Sequence, residues 1–206
     1  MSVPDPLSAQ RLRAELGNVT IGSNIIVLSV AKSTNDVVSE LAKEDRAEGL
    51  VVFAEHQTAG RGQRGNTWES AAGKGLCFSI LLTPEIELQD SARLTTWAAQ
   101  TVASTIHATF NLATTVKLPN DIYVGNRKIA GVLVEMRARP GAPHIAVLGI
   151  GLNVNQNPND FSDELRKKAT SLAIETRTPV DRNVLAIVLL RKLDASYTTT
   201  FHKPCS

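Results

Sequence analysis

Residues 59–68 read Ala-Gly-Arg-Gly-Gln-Arg-Gly-Asn-Thr-Trp and lie between two apolar, strand-like stretches, Leu50 to Ala54 and Leu76 to Leu82. That flanking pattern decides the class of fold. The stretch satisfies a literal G-x-G-x-x-G, but a dinucleotide fingerprint needs a helix opening at the glycines and an acidic residue about 20 positions on. Here Asn66, Thr67 and Trp68 lead through Ala71-Ala72-Gly73-Lys74-Gly75 into another strand pattern, so a Rossmann unit is excluded. Gly60, Gly62 and Gly65 let backbone amides approach a ligand closely. Arg61 and Arg64 add positive forks suited to carboxylate or phosphate oxygens. Trp68 adds a flat face that can cover a ring. Such a loop suits closure over an anionic, nucleotide-like species; the glycines by themselves read equally well as an ordinary surface loop.

The rest of the chain alternates strand and helix signals without repeats or a dividing linker. Ile25 to Leu28 is a β-branched run. Ser33-Thr34-Asn35-Asp36 offers a helix cap, with Val37, Val38 and Leu41 as the buried face behind it. Leu94, Trp97, Ala98, Thr101, Val102, Thr105 and Ile106 recur at helical spacing, predicting the longest amphipathic helix over 88–110, with Trp97 in the core. Val116 to Val124 and Arg127 to Met136 read as strands joined by Gly125-Asn126, a two-residue hairpin signal. Pro140-Gly141-Ala142-Pro143 is a further turn, and Ile145 to Val154 another strand. Residues 182–200 suit a final helix burying Leu185, Val188, Leu189 and Leu193. Helices mixed with hairpin-linked strands predict an α+β fold, a mixed, largely antiparallel sheet flanked by helices.

At 206 residues, 43% hydrophobic and 20% charged, the composition is that of one globular domain. A net charge of +2 gives no reason to expect nucleic-acid or membrane binding. Cys77 and Cys205 are far apart and belong to no motif, which argues for a reducing, cytoplasmic setting. The N-terminal residues do not resemble a signal peptide, and no run of about 18 apolar residues spans a membrane. His56, His107, His144 and His202 lack metal-ligand spacing, although His56 abuts Gln57 and is a candidate pocket residue. Cys77 lies in an apolar strand without a partner base, so core packing outweighs nucleophilic catalysis.

A second constellation surrounds the predicted hairpin. Lys117-Leu118-Pro119-Asn120-Asp121 precedes it, and Lys128-Ile129-Ala130-Gly131 follows, so the turn brings two lysines, an asparagine, an aspartate and a glycine together. Such a set can neutralise phosphate charge, supply oxygen ligands to magnesium and let a substrate reach the backbone; solvated hairpin charges are the plainer reading for Lys117 or Asp121 singly.

With these two groups, the chain resembles the biotin–protein ligases. Ser33-Thr34-Asn35, Gln57, the loop from Gly60 to Trp68, Lys117 to Asp121, Lys128 to Gly131 and Gly149-Ile150-Gly151-Leu152-Asn153 follow the family's order and approximate spacing, covering about Ile25 to Leu172. The resemblance implies an ATP-dependent ligase with a class II synthetase-like catalytic domain. It would activate biotin as biotinyl-AMP and pass it to a lysine on the biotin carrier domain of a carboxylase of the acetyl-CoA type. By matching position, Ser33, Thr34, Asn35 and Gln57 would hold biotin. Gly60, Arg61, Gly62 and Gln63 would lie on the closing loop. Lys128, with Arg61, would serve catalysis, and Gly131 would leave room for the ligand. Arg64, Trp68, Lys117, Asn120, Asp121 and Asn153 would serve ATP, with Asp121 a candidate magnesium ligand. Expected partners are therefore biotin, ATP with Mg2+ and the carrier domain, without nucleic acid or membrane; a homodimer is compatible with the sequence.

Three departures from the family stand out. Gln63 and Leu118 replace a frequent arginine and tryptophan. Residues 1–206 are expected to form a single catalytic domain, without the family's C-terminal SH3-like barrel and without room before Ile25 for a winged-helix DNA-binding domain. Lipoate ligases and octanoyl transferases share the fold and a similar hairpin, but the glycine–arginine loop before Trp68 favours biotin. A catalytically weakened biotin-binding module is the reading from another class, opposed by Lys117, Asn120, Asp121 and Lys128, which biotin binding alone would not need.

Overall fold

The computed structural model describes residues 6–44, 47–139 and 141–201; Cys205, His202, the first five residues and Pro140 of the predicted turn lie outside them. A seven-stranded sheet in the order β1-β2-β3-β7-β6-β5-β4 forms the frame. The strands are β1 (Asn24–Ala31), β2 (Leu50–Gln57), β3 (Leu76–Leu82), β4 (Thr114–Lys117), β5 (Asp121–Val124), β6 (Arg127–Arg137) and β7 (Ile145–Leu152). Only β1 and β2 run parallel, every other pair being antiparallel. The parallel pair needs a crossover, supplied by helix α2 (Thr34–Leu41).

Period-two alternation sorts side chains to the two faces of the sheet. Val51 and Phe53 of β2 enter the larger core, where Phe53 stacks on Phe78 at 4.9 Å between ring centres. Leu50 and Val52 point the other way, into a smaller cluster with Val38 of α2, Leu81 and Val147. The larger core is closed by α1 (Ala9–Leu16), α3 (Ser91–Phe110) and α5 (Arg182–Phe201). All seven residues of β3 are buried, as its unbroken apolar run demands.

Several sequence expectations need correcting here. The strand predicted over 116–124 is two strands, broken at Leu118-Pro119-Asn120 by a cis Leu118–Pro119 bond; Pro119 has no N–H for a ladder. Helix α3 is not uniquely long, since α5 also has 20 residues. Val188 is only half-buried, while Ile187 and Leu190 take core positions. Trp97 is half-buried at the rim of the core, its Nε1 donating to Ser196 Oγ at 3.1 Å. Ser33 stands at the N-cap of α2, but its hydroxyl makes no cap hydrogen bond. Helix α1, capped by Ser8 on the amide of Arg11, and the short α4 (Leu172–Thr176) have no counterpart in the sequence reading.

One buried ion pair fastens the end of the glycine loop to the body. Arg182, the first residue of α5, is 2% exposed and its Nη1 meets Glu55 Oε2 at 2.5 Å. Glu55 also accepts from the amide of Leu7 through Oε1 and from Gly73 through its backbone carbonyl, while Arg182 donates to the carbonyl of Gly75. A charge buried this deeply is tolerable only because so many donors and acceptors converge on it.

Candidate functional site

An open cavity of about 350 Å³ lies against the sheet face that carries α2, beneath the glycine loop. Its floor is polar and neutral. Ser33, Thr34 and Asn35 open α2 and are each 3% exposed; Gln57 ends β2 at 9%. Thr34 donates to Gln57 Oε1 from its backbone N at 2.8 Å and from Oγ1 at 3.1 Å. These bonds occupy the amide oxygen with one fixed backbone donor and one rotatable hydroxyl, which a ligand N–H can displace, and leave the amide nitrogen to donate. One side wall is nearly bare backbone. A Cβ on Gly149 would lie 2.2 Å from Asn35 Oδ1, and one on Gly151 would lie 2.4 Å from Trp68 Cε2. These alternate residues of β7 are glycines because Asn35 and the Trp68 indole fill their side-chain space.

The roof is the loop 60–68, folded back on itself. Trp68 N donates to Gly60 O at 2.9 Å, and Arg61 bridges Thr67. Gln63–Gly65 make a single 3₁₀ turn, with Arg64 held at φ 56°. Arg61 is gripped by two carboxylates, Asp36 at 2.6 Å and Glu135 at 2.8 Å. Each side chain in this clasp is 40–50% exposed, so solvent weakens it well below a buried pair. Trp68 lies within 5.8 Å of Lys128 Nζ, ring centre to ammonium.

The hairpin β5–β6 delivers the second cation through a backbone irregularity. Asp121 faces Gly131 and Ile122 faces Ala130, but Tyr123 faces Lys128, leaving Ile129 as an extra residue. In a regular strand Lys128 and Gly131, three apart, would point to opposite faces. The bulge turns Lys128 onto the face of Gly131, so that a Cβ there would meet Lys128 Cε at 3.3 Å. The backbone of Lys128 is held on its other side, donating to Lys168 O at 2.8 Å and accepting from Thr170 N at 2.9 Å. Its ammonium pairs with Asp121 Oδ1 at 2.7 Å, and Asn120 Nδ2 donates to the same oxygen at 2.9 Å. Lys117 Nζ stands 4.6 Å from the centre of the Tyr123 ring. Burial, followed by the nearby Asp121 charge, pushes the Tyr123 hydroxyl up.

The profile of the biotin/lipoate A/B protein ligase family matches residues 27–153, from β1 to the residue after β7. The chain belongs to that family. It is 39% identical over 188 residues to "Bifunctional ligase/repressor BirA" of Bacillus subtilis, a match covering 91% of this chain and 58% of that protein. The "Biotin--[acetyl-CoA-carboxylase] ligase" of Mycobacterium tuberculosis is 34% identical over 196 residues, 92% of this chain and 70% of its own. Among solved structures, the Aquifex aeolicus biotin protein ligase in complex with biotin and ATP aligns with a TM-score of 0.74 at 29% identity, over 87% of this chain and 72% of that one. The chain thus spans a little under three fifths of the length of the Bacillus relative.

Within this biotin/lipoate ligase fold, fourteen of the sixteen residues expected at the site line the one cavity. Gly60 and Asn153 do not. Gly60 sits behind the loop, where a Cβ would lie 2.4 Å from Trp68 O, and lines a neighbouring cavity of about 400 Å³ together with His56. Asn153 is 5% exposed, donates from its backbone to Ile129 O and accepts from Gln156 Nε2 at 3.1 Å. Cys77 is buried 3.8 Å from Ser70 Oγ, and burial pushes its thiol up.

Three contributors went unread. Ser79 and Glu135 join the site through contacts to Asn35; Ser79 interrupts the apolar strand β3 and Glu135 the apolar stretch 129–136 of β6, and that misfit is the signal for them. Asp36 completes the grip on Arg61. Leu118 lines the mouth at 71% exposure. Among the described residues no three histidines, cysteines or carboxylates are grouped to hold a metal, and no helix is long and apolar enough to cross a membrane.

Proposed function

We propose that this chain is a biotin–protein ligase: it joins biotin to AMP at the expense of ATP and transfers the biotinyl group to a lysine of a biotin carrier domain, as in acetyl-CoA carboxylase. The observation that carries the reading is a cavity with a neutral polar floor at one end and two cations, Arg61 and Lys128, nearer its mouth. The ureido ring offers two N–H donors and a carbonyl acceptor, a match for Ser33, Thr34, Asn35 and Gln57. A lipoyl dithiolane offers no such groups and would leave the floor's polar atoms unpaired, at about 1–3 kcal/mol for each. The floor therefore favours biotin over lipoate or octanoate.

The first step joins two anions. A biotin carboxylate oxygen attacks the α-phosphorus of ATP, the bond to the bridging oxygen breaks, and pyrophosphate leaves. Lys128 and Arg61 place positive charge where negative charge gathers. Each is neutralised by carboxylates in this structure, so the substrate's own anionic groups replace Asp121 on Lys128 and Asp36 on Arg61, while Glu135 stays on the second Arg61 nitrogen. Gly62 and Gln63 border the same space, with Gly60 behind them. Trp68, resting on Gly151, offers a face to adenine; Arg64, Lys117 and Asn120 lie on the triphosphate side, and Gly131 leaves room between. Asn153 serves ATP only if the strand end behind Trp68 opens toward it. Asp121 is one carboxylate beside an asparagine, which fits a magnesium ion that takes one or two carboxylates and completes its shell with phosphate oxygens and water. Bound there, magnesium would supply further charge neutralisation. In the second step the acceptor lysine's neutral amine attacks the acyl carbon, AMP departs, and the amine's extra proton is lost to solvent.

The chain is expected to work as one catalytic domain in the cytoplasm without nucleic acid. The test is incubation with ATP, magnesium, radiolabelled biotin and a carrier domain, with excess lipoate in a parallel tube. Label on the carrier that lipoate does not reduce supports the reading; label lost to lipoate, or none, refutes it.

A further inference from the structure

One unbroken chain of polar contacts runs from the cavity floor to the glycine loop. Thr34 donates to Gln57 Oε1. Ser79 Oγ lies 2.7 Å from Thr34 Oγ1 and 2.6 Å from Asn35 Oδ1. Asn35 Nδ2 donates to Glu135 Oε2 at 2.7 Å, and that same oxygen accepts from Arg61 Nη2 at 2.8 Å. Ser79 is fully buried in β3, lies one layer behind the cavity lining formed by Thr34 and Asn35, and is not itself a lining residue.

Counting protons along this chain shows how its two ends communicate. Three oxygen–oxygen contacts, Gln57–Thr34, Thr34–Ser79 and Ser79–Asn35, share two hydroxyl protons, so one contact always lacks a proton. While Thr34 Oγ1 donates to Gln57, Ser79 must divide its single proton between Thr34 and Asn35. A ligand N–H that donates to Gln57 Oε1 releases the Thr34 proton to Ser79. Ser79 then donates to Asn35 Oδ1 alone, which fixes the amide with Nδ2 on Glu135. A fixed Glu135 is a better seat for Arg61.

We infer that Ser79 and Glu135 are positioning residues that couple occupancy of the cavity floor to closure of the loop 60–68. The inference rests on the ligase reading for the identity of the floor ligand, biotin, but the clasp on Arg61 stands without it. Contiguous contacts alone do not establish coupling; a measured interaction between the ends does.

The experiment is hydrogen exchange over residues 60–68, with and without biotin, in wild type, Ser79→Ala, Glu135→Gln and Thr105→Ala. Glu135→Gln keeps an acceptor for Asn35 but removes the charge facing Arg61, so ligand-free loop exchange should rise roughly two- to fivefold, the upper range of a half-exposed ion pair. Ser79→Ala should leave ligand-free exchange within about twofold, as its own contacts to the loop are nil, yet abolish most of the extra protection that biotin gives the wild type. Thr105→Ala removes an equally buried hydroxyl, bonded within α3 to Thr101 O, and should preserve that protection; it separates coupling from a general loss of stability. Equal biotin-induced protection in wild type and Ser79→Ala, or unchanged ligand-free exchange in Glu135→Gln, overturns the inference. A wild type that binds no biotin overturns the ligase reading and the coupling with it, while the Glu135→Gln arm still decides the clasp.

Discussion

Lys128 Nζ and Asp121 Oδ1 lie 2.7 Å apart, so the cation at the cavity mouth is already neutralised by a neighbour on the opposing strand. Both side chains are about 30% exposed. The pair can therefore exchange partners at modest cost, because water reaches whichever group is released.

Lys128→Ala is expected to suppress adenylate formation while the protein stays folded, since the side chain leans on Asp121 and Trp68 rather than on the apolar core. A lost charged hydrogen bond of about 1.5–3 kcal/mol corresponds to roughly 10- to 150-fold in rate, and to more if the contact tightens in the transition state. Biotin-dependent pyrophosphate release near the wild-type rate would remove Lys128 from the chemistry.

Gly151→Ala should displace the Trp68 indole, because the new methyl group would stand 2.4 Å from a ring carbon. With Trp68 no longer flat against β7, ATP affinity should fall about tenfold and biotin affinity far less, the floor being carried by α2 and β2. Calorimetry with each ligand separately gives the answer; an equal loss for both would mean that Trp68 does not belong to the nucleotide side.

Gln63 lies in the single 3₁₀ turn over the cavity, where an amide can still donate to a phosphate oxygen but lacks the charge and fork of arginine. Gln63→Arg is expected to slow release of biotinyl-AMP by roughly two- to fivefold, the upper range of one partly exposed charge contact. It should also reduce carrier-independent labelling of stray lysines. A dissociation rate unchanged or increased in the arginine variant contradicts this.

The Cys77 thiol is raised by burial, so at any given pH less of it is thiolate and its reactivity rises only at more alkaline pH than for an exposed cysteine. In a Cys205→Ser background, a thiol reagent at pH 8 should label the folded protein at least tenfold more slowly than the urea-unfolded chain. Labelling at the unfolded rate would mean that β3 is open to solvent beside Ser70.

Much of this architecture was legible in the residues. The all-apolar run from Leu76 to Leu82 became the fully buried β3, and Gly125-Asn126 became the predicted turn, with Gly125 at φ 57°. Such features are local: period, turn chemistry and chain length suffice to define them. The break at residues 118–120 was readable in principle from Pro119, but two β-rich flanks concealed it. Ser79, Asn35 and Glu135 were not recognised together because their contacts span 44 and 100 positions and arise only when α2 crosses the sheet. The loop's glycines were visible, but the carboxylates that grip Arg61 come from two distant elements.

The extra residue at Ile129 makes the aim of Lys128 a matter of counting. Were the same residues to pair in a regular ladder without that bulge, the three-residue spacing would swing the ammonium toward the side covered by α3, with every side chain unchanged. The odd spacing in Lys-x-x-Gly is thus an address expressed as chain length, which no substitution at a neighbouring position can rewrite.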